Sequence, residues 1–203
     1  MDSLLQDGST PGHNGIKAMP VNGAIHLVNG IKGSALDFTK QGNYVSFGTK
    51  SFPCLSNPDL CENGYTAALW VKQKRHTSAW AGLLGYGDDP ITIAHDRNGV
   101  KLNFRVTLMA GKSYYTNVYF ENDYNDKWYH YALTWHQKHG IRSFKNGIRY
   151  GLGANPYNRR APVGTDVKIG YGKLNATIDD VYIWEDYKTD DFIWMLYAGL
   201  LQL

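Results

Sequence analysis

The sequence predicts an all-β protein, a two-sheet antiparallel sandwich with one short C-terminal helix. Three observations carry this. Val100, Leu102, Phe104, Val106 and Leu108 alternate with Lys101, Asn103, Arg105 and Thr107. Period two over such a length is a half-buried strand, one face on a core and one wet. The chain of 203 residues has 22 Gly and 15 Tyr, and only Glu62, Glu121 and Glu185 among its 18 acidic residues are Glu. That is a strand-and-turn composition, not a helical one. Near the end, Thr189 can cap a helix, Asp190 and Asp191 suit its positive N-terminus, and Gly199 can close it. Phe192, Ile193, Leu196, Tyr197 and Leu200 make its apolar stripe.

The elements follow in order. Residues 1–19 are polar, with Gly8, Pro11, Gly12 and Gly15, and read as an irregular lead-in. Short strands are expected at Ala24–Val28, Ala35–Phe38 and Tyr44–Phe47, separated by Gly and Asn. Tyr65–Gln73 is a strong strand, with Tyr65, Ala67, Leu69 and Val71 on one face. Ser113–Phe120 and Trp128–His136 are aromatic strands, the second placing Tyr129, Tyr131, Leu133 and Trp135 together. Asn146-Gly147 supplies the two positive-φ positions of a type I′ hairpin turn. Asp166–Gly170 and Thr177–Trp184 complete the sheets.

Composition excludes several classes. The net charge is +3, charged residues are 19% of the chain and no block is strongly basic, so nucleic acid is a poor partner. An apolar content of 43% can build a large core. No apolar run approaches the ~18 residues of a membrane span, and the first thirty residues hold no signal-peptide core. No H-E-x-x-H pair or G-x-S-x-G elbow occurs. His130 and His136 share parity but would lie ~20 Å apart on a regular strand, too far for one zinc. All seven His read as structural or surface.

The order of segments resembles the laminin-G-like, concanavalin-A-like jelly rolls. Residues 30–38 (GIKGSALDF) with Tyr44-Val45 resemble their opening, and residues 64–72 (GYTAALWVK) their next core strand. Residues 126–135 (DKWYHYALTW) are similar to their most recognisable strand, Asn146-Gly147 to their hairpin, and residues 178–184 (IDDVYIW) with the final helix to their close. The resemblance covers residues 24–199 and implies a jelly-roll sandwich in an extracellular setting. With that setting, the missing signal-peptide core points to one domain over 1–203 that is part of a longer extracellular protein. The resemblance also implies a non-enzymatic recognition or adhesion module, of a cell-surface receptor or a secreted protein, that binds a protein or glycan. The alternatives are a soluble pentraxin-like lectin and, behind it, a glycan-active enzyme. Against the lectin, the stretch 164–178 has only Asp166 as an acid. Against glucanase chemistry, the three Glu are too dispersed to supply a paired-carboxylate motif.

Candidate site residues fall mostly in loops, where a sandwich keeps its sites. Cys54 and Cys61, around an Asn57-Pro58 turn, read as a disulfide, or else as two buried thiols. Asn175-Ala176-Thr177 is a glycosylation triplet. Calcium is the one cofactor considered: the family's rim site carries over to Asp89 and Asn158, with Asp88 and Asn155 as alternates. Solvated turn residues are the competing reading. Arg159 and Arg160 would repel a cation there, yet with Asp88 and Tyr124 they are candidates for partner binding. Asp179 is expected to be partly buried and bonded to backbone. The cluster Lys72, Lys74, Arg75 and His76 reads as a solvated strand end.

Overall fold

The computed structural model describes residues 19–21, 25–39, 42–46, 53–73, 81–85, 89–96, 98, 100–119, 126–153, 155–160 and 168–201. Among them, alternation resolves into fifteen strands. They are β1 (Met19–Val21), β2 (His26–Asn29), β3 (Ser34–Asp37), β4 (Tyr44–Ser46), β5 (Tyr65–Gln73), β6 (Ala81–Leu84), β7 (Ile91–His95) and β8 (Lys101–Thr107). Then come β9 (Lys112–Tyr119), β10 (Trp128–His136), β11 (Gly140–Lys145), β12 (Ile148–Gly153), β13 (Tyr157–Asn158), β14 (Lys168–Gly172) and β15 (Ala176–Trp184). A short helix α1 (Pro53–Ser56) and a 3₁₀ turn (Pro58–Leu60) precede β5, and α2 (Asp190–Tyr197) follows β15. The expected strand ends at Ala24, Phe47, Phe120 and Asp166 lie outside the described residues.

One sheet runs β1-β4-β14-β6-β7-β8-β9-β13 and the other β12-β11-β10-β5-β15-β3-β2, and every pairing among the described residues is antiparallel. Their inner faces meet in one core. Tyr65, Ala67, Leu69 and Val71 of β5 and Tyr131, Leu133 and Trp135 of β10 oppose Leu102, Phe104 and Val106 of β8 and Tyr114 and Val118 of β9. Trp135 meets Tyr114 edge-on at 5.8 Å. At one side the sheets close tightly. A Cβ on Gly151 would meet the Thr116 hydroxyl, and one on Gly153 the Tyr115 carbonyl.

The central ladder is buried on its outer face as well. Ala68, Ala132 and Phe144 there form a second cluster with Ile193 and Leu196 of α2. The helix starts as its sequence requires: Thr189 Oγ1 accepts the Phe192 N–H at 3.3 Å. Thr66 anchors the approach to it, donating to the Asp186 carbonyl at 2.8 Å and accepting from the Lys188 N–H at 3.0 Å.

Two local expectations hold. Asn146 (φ 50°) and Gly147 (φ 76°) make the β11–β12 turn. Asp179 is buried, and its carboxylate accepts the Ile31 N–H at 2.7 Å and the Asp180 N–H at 2.9 Å. Asp180 takes a φ of 44° within the irregularity that interrupts β15. Burial, with Asp179 beside it, raises the Asp180 carboxyl above its ordinary range, against the opposing pull of Lys32.

One expectation needs correcting. The face of β8 carrying Lys101, Asn103, Arg105 and Thr107 is not wet. Asn103 is 8% and Thr107 2% exposed, and Lys101 and Arg105 are half-buried. Polar side chains alternate with apolar ones here because each finds a cross-strand partner. Tyr115 Oη donates to Asn103 Oδ1 at 2.8 Å, and Thr107 and Ser113 share a hydroxyl bond of 3.0 Å.

Trp135→Ala is expected to cost ~3–5 kcal/mol, as large-to-small changes in a filled core do. Its denaturant midpoint measures this, and an unchanged midpoint would refute the strand facing.

Candidate functional site

The register places the loops. β7 begins with Ile91 opposite Val106, β8 and β9 turn at 108–111, and Tyr157 and Asn158 of β13 pair with Ser113 and Lys112. The segments before β7 and around β13 therefore stand at one end of the eight-stranded sheet. Tyr119, paired with Lys101, and Asp126, whose N–H donates to the Gln73 carbonyl at 3.3 Å, stand at the opposite end. Tyr124, Glu121 and Asp88 lie outside the described residues, as do Lys74, Arg75 and His76 of the basic cluster.

The rim at the first end is built from three pieces. Cys54 and Cys61 are bridged, with Cα atoms 5.1 Å apart, and knot α1 and the 3₁₀ turn into a knuckle. Asn57 caps that turn by accepting the Asp59 N–H at 3.1 Å. Asp59 Oδ2 then reaches 50 residues along the chain to accept the Met109 N–H at 2.8 Å. On the far side of the β8–β9 turn, the Arg159 N–H donates to the Gly111 carbonyl at 2.8 Å. Lys112 Nζ donates to Asn158 Oδ1 at 2.8 Å. The rim thus carries Lys112, Arg159 and Arg160, with Leu60 (58%), Met109 (40%) and Tyr157 (42%) exposed among them.

The calcium candidates are not brought together. Asp89 heads β7 and Asn158 lies on β13, with β8 and β9 between. Three strand spacings amount to about 14 Å, whereas ligands at 2.3–2.6 Å from one Ca²⁺ lie within about 5 Å of each other. Asp89 is buried, and its carbonyl accepts from Arg105 Nη2 at 3.3 Å. Asn158 already faces an ammonium, and Asn155 is exposed. Among the described residues no three His, Cys, Asp or Glu side chains are grouped to hold a metal.

The other candidates sort by burial. Asn175 is half-exposed ahead of β15, while Thr177 is buried in it. Glu62 and Glu185 are exposed. His136 and His139 lie 5.0 Å apart at the β10–β11 turn, and His136 Nδ1 accepts the Lys138 N–H at 3.0 Å. Burial, then His139 and Lys138, lower the His136 pKa. Sequence reasoning missed Lys112, Leu60 and Met109. Gly111 marked a turn before Lys112, but nothing local tied that turn to the knuckle.

Comparison with known proteins agrees with this architecture. The family model described as the Concanavalin A-like lectin/glucanases superfamily matches residues 41–193. No curated protein matches the chain. Among solved structures, the receptor-binding domain of botulinum neurotoxin mosaic serotype C/D superposes with a TM-score of 0.69 at 12% identity, over 91% of this chain and 46% of that one. The binding domain of botulinum neurotoxin DC in complex with SialylT gives 0.65 at 13%, over 92% and 47%. The binding domain of Paraclostridial Mosquitocidal Protein 1 gives 0.61 at 13%, over 87% and 46%. The chain thus spans about half the length of the solved structures it matches, and the likeness is one of fold.

Non-reducing peptide mapping is expected to recover Cys54 and Cys61 in one linked species. Reduction should cost about 2.5 kcal/mol, the loop-closure entropy of so short a ring. Two free thiols in the native protein would contradict the knuckle.

Proposed function

The chain belongs to the Concanavalin A-like lectin/glucanases superfamily, and from that premise we propose that it is a non-enzymatic recognition module of an extracellular protein, secreted or at the cell surface. It meets an acidic glycan or protein partner through the rim. The observation that carries this is the convergence of Lys112, Arg159 and Arg160 with the exposed Leu60, Met109 and Tyr157 on one end of the sandwich. Cations beside apolar and aromatic side chains suit a partner that brings negative charge and some desolvated contact. The disulfide supports an oxidising compartment. The neurotoxin binding domain solved with SialylT supports a glycan as the first partner to try.

The Arg159→Glu, Arg160→Glu double variant is expected to weaken binding to cells or to immobilised acidic glycans about tenfold or more, mainly through slower association. The matched control reverses Lys72 and Lys74. Lys72 sits at the opposite end of the sandwich, its ammonium over the Trp128 ring at 5.2 Å, and its reversal should leave binding intact. Loss confined to that control would move the interface away from the rim.

In the same setting Asn175 carries an N-linked glycan. Protein secreted from eukaryotic cells should lose mass on enzymatic deglycosylation, and Asn175→Gln should lack that shift. An unmodified Asn175 from such cells would remove this part of the reading.

A further inference from the structure

The outer face of the β5–β10 ladder holds a titratable side chain that the rim does not use. His130 has no solvent exposure, and neither of its ring nitrogens has a hydrogen-bond partner. Its backbone is satisfied: the N–H donates to Asn146 Oδ1 at 3.0 Å, and the carbonyl accepts the Asn146 N–H at 2.8 Å. The ring sits in an aromatic box. Trp70, its registered partner on β5, lies 5.2 Å away between centroids, and Tyr197 of α2 lies 6.0 Å away. Tyr197 also stacks on Trp70 at 5.5 Å, and Gly147 packs against it closely enough that a Cβ would touch its ring. Tyr197 is thus a lid over His130, carried by the last turn of a helix whose Ile193 and Leu196 rest on Ala68, Ala132 and Phe144.

A neutral imidazole leaves one donor and one acceptor unpaired in such a box; an imidazolium adds a second unpaired donor and a buried charge, met only by the faces of the Trp70 and Tyr197 rings. Burial alone pushes His130 down to about 4. The groups facing it offer a charge two aromatic rings but no carboxylate partner, and burial outweighs the rings. From β5 these are Trp70 and, further along, Lys72, which lies over Trp128. From the hairpin it is Asn146, and from α2 it is Tyr197. Asp190, at the far end of that helix, pairs with Arg142 at 2.8 Å and Arg149 at 3.2 Å. Asp179, across Trp70 on β15, accepts backbone N–H groups.

We propose that α2 is an acid-released latch, in which protonation of His130 unseats Tyr197 and frees the helix from the outer face of the seven-stranded sheet. The sandwich core lies on the other face of that sheet and stays packed. The direction follows from linkage. His130 titrates near its ordinary ~6.5 when the box is open and about 4 when it is closed. The closed state keeps its full advantage above pH 6.5 and loses it progressively as pH falls towards 4. Between pH 7.5 and 5.0 the opening equilibrium should grow about thirtyfold.

Hydrogen exchange on the full chain tests this, with protection of amides 193–198 corrected for intrinsic rates at the two pH values. The expected result is a loss of about thirtyfold in the helix, with β5 and β10 unchanged, and no pH-dependent loss in His130→Phe. Equal loss in His130→Phe, constant protection in the unmodified chain, or simultaneous loss across β5 and β10 would overturn the latch. Should His130→Phe fail to fold, ring NMR titration serves instead. His130 should titrate about 4, and Tyr197→Ala should raise it towards ~6.5. A native midpoint already near 6.5, or one unmoved by Tyr197→Ala, would equally overturn it.

Discussion

Burying both faces of the β5–β10 ladder is the constraint on which the remainder of the molecule depends. Eight registered pairs, from Trp128↔Lys72 to Trp135↔Tyr65, run through the middle of the seven-stranded sheet. The inner side chains, Ala67 apart, are large and fill the space between the sheets. The outer side is small at Ala68 and Ala132, which leaves room for a helix to lie against it. Alternation of large and small across one ladder thus sets both the sheet-on-sheet distance and the docking of α2. The helix must reach its site from the end of β15, so the turn through Asp186 and Lys188 is pinned on Thr66 of the same ladder.

The two ends of the sandwich inherit different chemistry from that arrangement. At one end the chain repeatedly turns between sheets, and backbone groups of the turns satisfy one another: Gly111 with Arg159, Asn63 with Tyr187. Basic and apolar side chains there are left facing outward because their backbones are committed inward. On the broad outer face of the eight-stranded sheet, polar residues instead neutralise one another across strands. At the rim Lys112 and Arg160 are exposed to solvent, while polarity on the sheet face is largely consumed by its neighbours.

Much of the fold was legible in the sequence because strand periodicity, the Asn146-Gly147 turn and the Thr189 cap are local signals. Trp135 and Val106 fall on the buried faces that parity assigns them. What period two could not say is whether a polar face is covered. Asn103 and Thr107 read as wet, since partners such as Tyr115 and Ser113 become visible only once register is known. The site was legible only in part. Arg159 and Arg160 stand out within their loop, whereas Leu60 comes near Met109 only because the Asp59 carboxylate accepts the Met109 N–H, 50 residues away. Asp89 and Asn158 do fall at one end, as loop order suggests, but two intervening strands keep them apart. For His130, parity showed its face, and only the docked helix shows that the face is sealed.

The knuckle closed by Cys54 and Cys61 has a mechanical consequence. Its Asp59 carboxylate grips the β8–β9 turn of one sheet, and the Asn63 carbonyl just beyond it accepts the Tyr187 N–H at 2.7 Å, on the connection leaving the other. Most sheet-on-sheet adhesion is side-chain packing, which resists separation but yields to sliding. Here a covalent ring with hydrogen bonds at both sides spans the gap, so shear between the sheets must rupture directed bonds before the core can slip. In a protein that carries tension, this end of the sandwich would resist sliding through bonds and not through packing alone.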